Sequence, residues 1–504
     1  MGAPTSEKLF KNALGRGATT PIQLRIRHRI ISSPQGSSGP GRIELMAMTS
    51  RFSHVRKKKK SRMEVKILSR KLIKPSIPNS QKNIKVSFID QLAPTEYSGW
   101  IFYYPVAKNA SDDDTTNIES STRQNQLEKS LAETLTIFYP LAGRYSKDEC
   151  LIECNSEGVV YLETRVAAQL ARIVHGEPEL LHLLVPEDEE VVSFGNGTAI
   201  PVLALQVNVF ECGGIAISVQ IFHAIGDGFT LAAFFDAWTK TSRGAVGEIN
   251  RLSFELGSVI PARSAQEPKS TPRTKKVVTR RFVFDGESIK SLKARVGGTK
   301  TRVESVSALI WRALIGVSQA KHGYLRAYQL VQPTGLRRKI GLPESDNAFG
   351  NFFTLSTALF QPGQSKMELH DLAGLAGDAI RNTLASCKEA VLAGEEDFFR
   401  VVNKLFAEPG ERSVDEEVDF YAITSLCRFP LYEADFGWGK PVWVSTYDKP
   451  REVANLFDTK CGMGIEAWVR LDEQDMLHFQ QDEGIKAFSS QSIERCLPKF
   501  KPTD

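Results

Sequence analysis

Residues 202–238 constrain the fold more than any other stretch of this chain. Residues 202–210 and 215–222 are apolar and rich in β-branched side chains, and Glu211-Cys212-Gly213-Gly214 joins them, which is a hairpin signal. In the second run Ile215, Ile217, Val219 and Ile221 share one face. His223 keeps the same parity, so it falls at the end of the strand and points inward. Phe229, Leu231, Phe234, Phe235 and Trp238 then recur at helical spacing. A buried hairpin running directly into a helix is the pattern of an α/β protein.

The rest of the chain extends that pattern. Ser121-x-x-Gln124 has capping-box spacing, and Leu127, Leu131 and Leu135 follow at every fourth residue, predicting a helix that ends near Tyr139-Pro140. A strand is expected over 277–284 and helices over 288–296, 304–320 and 367–389. No internal repeat of fixed period is present. A chain of 504 residues outgrows a single core, so two domains are expected. Residues 261–276 are polar, aperiodic and hold three prolines, the signature of a linker between residues 63–260 and 277–504.

Charge separates the first 62 residues from the remainder. They carry 14 of the 64 Lys/Arg and 2 of the 59 Asp/Glu, a local balance of +12, which leaves the body at −7. With its Gly/Ser/Pro stretch and the run Arg56-Lys57-Lys58-Lys59-Lys60, this leader lacks the apolar surface to offset ordering entropy and is expected to be disordered. It reads as an unstructured leader, an organelle transit peptide or a basic nucleic-acid-binding tail. An acidic body disfavours a nucleic-acid partner. No apolar run approaches the ~18 residues of a spanning helix, so no membrane partner is expected. The seven cysteines contain no CxxC pair, which argues against a zinc ribbon or redox dithiol and for reduced thiols in a cytoplasmic enzyme.

Two short strings carry chemistry. His223-Ala224-Ile225-Gly226-Asp227-Gly228 lies where the buried strand gives way to a helix. An unperturbed imidazole can accept a proton at neutral pH, and the flanking glycines permit tight or left-handed backbone and close approach of a substrate. A lone buried histidine is more often a satisfied core residue. Asp435-Phe436-Gly437-Trp438-Gly439-Lys440-Pro441 has a Gly-Lys pair without phosphate-loop spacing. It reads as a tight turn set by Gly437 and Gly439 and anchored by two aromatics.

Taken together, HAIGDG and DFGWGKP resemble the paired HxxxDG and DFGWG signatures of the plant BAHD acyltransferase family. Tyr139-Pro140-Leu141-Ala142-Gly143-Arg144, Phe349-Gly350-Asn351 and Thr424-Ser425-Leu426-Cys427-Arg428 support the resemblance, which runs from about Met63 to the C-terminus. Val209-Phe210-Glu211-Cys212-Gly213-Gly214, Ala237-Trp238 and Ser130-Leu131-Ala132-Glu133-Thr134-Leu135 look most like the alkaloid acetyltransferase branch.

The resemblance implies two similar-sized mixed-sheet domains of the chloramphenicol acetyltransferase type, joined by a long crossover with a channel between them. It implies a monomer with no bound cofactor or metal, using acetyl-CoA or another acyl-CoA as co-substrate and a small-molecule alcohol as acceptor. His223 is then the general base, and Asp227 turns away to pair with Arg337. Asp435 is grouped with the family's catalytic residues but reads as structural here, with Gly437 and Gly439 shaping its loop and Asn351 supporting it. Thr301 and Arg302, or Thr424 and Ser425, are the candidate CoA contacts. One departure is Gly335 before Leu336-Arg337, where the family has Asn, so a hydrogen bond is expected to be missing. A hydroxycinnamoyl or benzoyl donor, an amine acceptor and a silent binding protein of the same fold are the alternatives. The expected compartment is the cytoplasm, or a plastid or mitochondrion if the leader is a transit peptide.

Overall fold

The hairpin expected from residues 202–222 lies at the centre of a six-stranded sheet in the computed structural model. The structure describes residues 63–79, 83–106, 113–174, 178–195, 199–263, 276–415, 418–447 and 451–490. The basic leader and most of the expected linker lie outside these residues.

In spatial order the first sheet contains Val65–Ile73, Val159–Val166, Leu203–Phe210, Ile215–Phe222, Tyr97–Tyr104 and Trp443–Tyr447. Only the pairing of Val159–Val166 with Leu203–Phe210 is parallel. Both hairpin strands are buried along their whole length, which explains their continuous apolar runs. The second six-stranded sheet runs Val277–Phe284, Ile465–Asp472, Val453–Asp458, Asp419–Ser425, Tyr328–Gly335 and Phe353–Phe360, again with mixed directions. A small four-stranded sheet, built from Ile84–Lys85, Leu151–Glu153, Arg144–Ser146 and Ala199–Pro201, completes the strands described.

Helices cover the sheets where the sequence places them, with one shift. Gly228–Ser242 buries Leu231, Phe234, Phe235 and Trp238, and each such side chain contributes about 1.5–3 kcal/mol. Its neighbour Asp113–Ile137 buries Leu127, Leu131 and Leu135 completely and stops at Phe138 before a 3₁₀ turn containing Pro140. The start expected at Ser121 is wrong, because Ser121 lies inside this helix. Arg302–His322 and Leu369–Ala393 match the other long helices expected.

One expectation about the domains is corrected. The strand Trp443–Tyr447 falls in the segment assigned to the C-terminal domain, yet it pairs antiparallel with Tyr97–Tyr104 at the edge of the first sheet. Tyr103 Oη and Ser445 Oγ are hydrogen-bonded at 2.9 Å across that pairing. Trp443 stacks on Tyr103 with ring centroids 4.9 Å apart, and the buried Arg281 guanidinium of the second sheet sits 5.1 Å from the Trp443 ring. An edge strand supplied by the distant half of the chain is invisible to local periodicity. It ties the two sheets together.

Candidate active site

His223 leaves the strand Ile215–Phe222 with both backbone groups held. Its N–H donates to the Glu96 carbonyl at 2.8 Å, and its carbonyl accepts from Asn351 Nδ2 at 2.7 Å. Residues from both halves of the chain thus fix one histidine. The imidazole is half-buried and edge-on to Phe353, with centroids 6.1 Å apart. Nδ1 is enclosed and meets no hydrogen-bond partner among the described residues.

Asp227, four residues on, faces another way. Oδ1 accepts from the Thr230 N–H at 3.1 Å and caps Gly228–Ser242, while Oδ2 accepts from Arg337 Nη1 at 2.5 Å and the Phe352 N–H at 3.1 Å. Arg337 Nη2 donates to the carbonyls of Ala348 and Gly350 at 2.9 and 2.8 Å, and its guanidinium lies 4.3 Å from the Phe229 ring centroid. The carboxylate therefore joins the helix start to the 348–352 loop. A hydrogen bond to His223 is not among its contacts.

Crowding explains the first glycine of this string better than unusual dihedrals do. Neither Gly226 nor Gly228 has positive φ, which corrects the left-handed geometry allowed for above. A Cβ on Gly226 meets Ile221 Cδ1 at 2.8 Å and Thr230 Cγ2 at 2.9 Å. A Cβ on Gly228 is 3.3 Å from Leu426 Cδ2 and 3.6 Å from both Phe429 Cζ and Trp100 Cζ2, so this glycine admits the 426–429 loop of the second half. Thr424 and Ser425 lead into that loop from the end of Asp419–Ser425.

The support expected from Asn351 goes elsewhere. Its amide bonds the His223 carbonyl and Asp90 Oδ1, the latter at 2.9 Å, and shows no bond to the 435–439 loop. Asp90 escaped the sequence reading altogether. It is buried in the single turn Phe88–Leu92, and burial pushes its pKa up to about 6 against the pull of four hydrogen bonds from Asn351 and Ser87. Ser87-x-x-Asp90 has capping-box spacing, the one signal that marked it.

Asp435 accepts from the N–H groups of Gly437 and Gly439 at 2.8 and 2.9 Å, and both glycines have positive φ, +106° and +111°. Phe436 is fully buried against Phe235, Trp238 and Tyr104, and its carbonyl accepts from Gln126 and Ser242. The loop locks onto the two long helices of the first half; its contacts do not include His223.

Thr301 and Glu304 form a reciprocal capping box at the start of Arg302–His322. Arg302 donates to the Gly462 carbonyl at 2.6 Å and to Asp458 Oδ1 at 2.9 Å. Both residues are occupied by the protein itself. Gly335, the departure before Leu336-Arg337, ends its strand with open space where a side chain would stand. Among the described residues no cluster of three His, Cys, Asp or Glu has the arrangement of a metal site, and no helix is long and apolar enough to cross a membrane.

Comparison with known proteins decides the family. The model of the Transferase family matches residues 63–485, most of the chain and both of its signature strings. The chain belongs to the BAHD acyltransferases. It is 34% identical over 425 residues to vinorine synthase of Rauvolfia serpentina, covering 81% of this chain and 94% of that protein. It is 32% identical to a limonoid 21-O-acetyltransferase of Melia azedarach and 31% identical to a pelargonidin 3-O-(6-caffeoylglucoside) 5-O-(6-O-malonylglucoside) 4'''-malonyltransferase of Salvia splendens. Each alignment covers 85% of this chain and at least 99% of the relative. The crystal structure of vinorine synthase superposes with a TM-score of 0.71, covering 85% of this chain and 99% of that one. The two-sheet fold of this BAHD member and its standing as an acyl-CoA-dependent acyltransferase follow from these matches.

Proposed function

We propose that this BAHD acyltransferase moves an acyl group, most readily acetyl from acetyl-CoA, to a hydroxyl of a plant specialised metabolite such as an alkaloid alcohol. His223 is the general base. The observation that carries the reading is the double anchoring of the His223 backbone to Glu96 and Asn351, with Asp227 engaged by Arg337. These bonds fix the main chain from which the imidazole projects, and an imidazole whose Nδ1 has no partner among the described residues is open to act as proton acceptor.

In the reaction, the imidazole takes the proton of the acceptor hydroxyl while that oxygen attacks the thioester carbonyl carbon. The tetrahedral intermediate collapses, the C–S bond breaks, and the CoA thiolate leaves with the proton returned by the imidazolium. No acyl-enzyme forms. A positioned base supplies about 10²–10⁴-fold, and orientation of the two substrates supplies much of the remainder. Because Thr301 and Arg302 are engaged internally, the CoA contact is assigned to Thr424 and Ser425, beside the loop that packs on Gly228.

The test is thiol release from a panel of acetyl-, malonyl-, benzoyl- and hydroxycinnamoyl-CoA with pooled plant alcohols, using the chain begun at Met63. Acceptor-dependent release with acetyl-CoA, lost in His223→Ala, is the expected result. Full turnover by His223→Ala overturns the base assignment, and a preference for a bulky donor overturns the acetyl assignment.

A further inference from the structure

The carboxylate of Asp90 divides its work between two partners. Oδ2 accepts from the Ser87 N–H and hydroxyl, both at 2.7 Å, and so completes the capping box of Phe88–Leu92. Oδ1 takes no part in the cap. It accepts from the backbone N–H of Asn351 at 2.7 Å and from Asn351 Nδ2 at 2.9 Å. The other hydrogen of that amide goes to the His223 carbonyl. Asp90 and Asn351 are 4% and 0% exposed, so water does not substitute for either.

Capping does not account for a charge at this place. A cap on one five-residue turn contributes much less than removing a carboxylate from water costs. The extra acceptor capacity is spent on Asn351, whose amide orientation it dictates: both Nδ2 hydrogens have fixed acceptors, one on Asp90 and one on His223. Gly350, with φ of +116°, brings this loop against the carboxylate, since a Cβ there lies 3.4 and 3.5 Å from the two Asp90 oxygens.

We propose that Asp90 is a positioning residue for His223, acting through the side chain of Asn351. The proposal rests on the reading of His223 as the general base. Asp90 touches no substrate; it holds the amide that holds the main chain of the base.

The test is a cycle of Asp90→Ala, Asn351→Ala and the double variant in the full chain, read by kcat, acetyl-CoA affinity and the ¹⁵N signals of the His223 imidazole. Each single variant is expected to lower kcat by about 10–100-fold, the scale of a displaced reacting group, with acetyl-CoA affinity changed less than about twofold. The double variant is expected to be no slower than Asn351→Ala, because the two act in series. Asp90→Asn keeps an oxygen for Asn351 while losing the second oxygen that accepts from Ser87, so it is expected to restore most of kcat yet remain less stable. Losses that multiply in the double variant, or an imidazole signal unmoved by Asn351→Ala, overturn the proposal. The second readout stands even if Asp90→Ala does not fold. A His223→Ala protein that still turns over removes the base reading and leaves the imidazole shift intact, so the two failures are told apart.

Discussion

Arg337 donates to Asp227 at 2.5 Å, from the segment between two strands of the second sheet to the cap of a helix on the first. The side chains are 10% and 12% exposed, so this is a nearly buried pair. The acid of the HxxxD string therefore serves as a clasp between the halves of the site.

Removing one partner leaves the other charged and unpaired. Asp227→Ala is expected to destabilise the protein by about 3 kcal/mol and to reduce kcat, with the loss visible in urea melts. Asp227→Asn keeps the capping oxygen and is expected to lose less of both. Normal stability with abolished turnover in Asp227→Asn points instead to direct participation in the chemistry.

The Cβ of Gly226→Ala runs into Ile221 Cδ1 and Thr230. Overpacking of this kind costs about 1–3 kcal/mol. Ile221→Val removes the nearer atom, so the double variant is expected to recover part of the loss in thermal melts. Losses that simply add in the double variant contradict this geometry.

Gly437→Ala places a side chain at φ of +106°, and Asp435→Ala removes the acceptor of two backbone N–H groups. Each is expected to lower stability by about 1–3 kcal/mol. Steady-state kinetics well below the melting temperature should show kcat within about tenfold of the parent protein. A loss as deep as that of His223→Ala assigns Asp435 to catalysis.

Asp90 also gives stability a pH dependence. Its carboxyl rises from the ordinary 3.8 to about 6 on burial. The folded state then holds the proton more tightly than the unfolded chain. The contribution is fully present below about pH 4 and disappears as pH rises through about 6, worth on the order of 3 kcal/mol. Burial raises Glu466 as well, with the same sign. Urea melts from pH 4 to 7 should show a steeper fall for the parent than for Asp90→Asn, and equal slopes refute it.

Arg281 and Glu466 are both buried beside Trp443 and attract one another electrostatically, and the Trp443 indole N–H donates to Glu466 Oε2 at 3.3 Å. Arg281→Met alone leaves a buried carboxylate without its cation and is expected to cost about 3–5 kcal/mol. Adding Glu466→Leu is expected to restore much of that stability, measured by denaturant unfolding. A double variant weaker than the single shows that the pair carries net stability of its own.

Local pattern made a minority of the elements legible, three of the sixteen strands described and five of the twelve α-helices. The hairpin around Glu211-Cys212-Gly213-Gly214, the helix carrying Phe234 and Trp238, and His223 between them follow from side-chain parity and spacing, which are properties of neighbouring residues. The paired strings marked the family in the same way. Asp90 was illegible because its partner Asn351 lies 261 residues away, and a short polar turn carries no sign of what it will touch.

The sequence by itself determined the α/β class, the central hairpin with the helix after it, several further helices, and the identity of the histidine and aspartate strings, because periodicity and side-chain chemistry are local. Only the tertiary structure decided where their polar atoms point. It carried Trp443–Tyr447 into the first sheet, turned Asp227 to Arg337, and gave Asn351 to His223 and Asp90 rather than to the Asp435 loop. Those choices are set by which buried donors and acceptors must satisfy one another once the two halves close, and no window along the chain contains both members of such a pair.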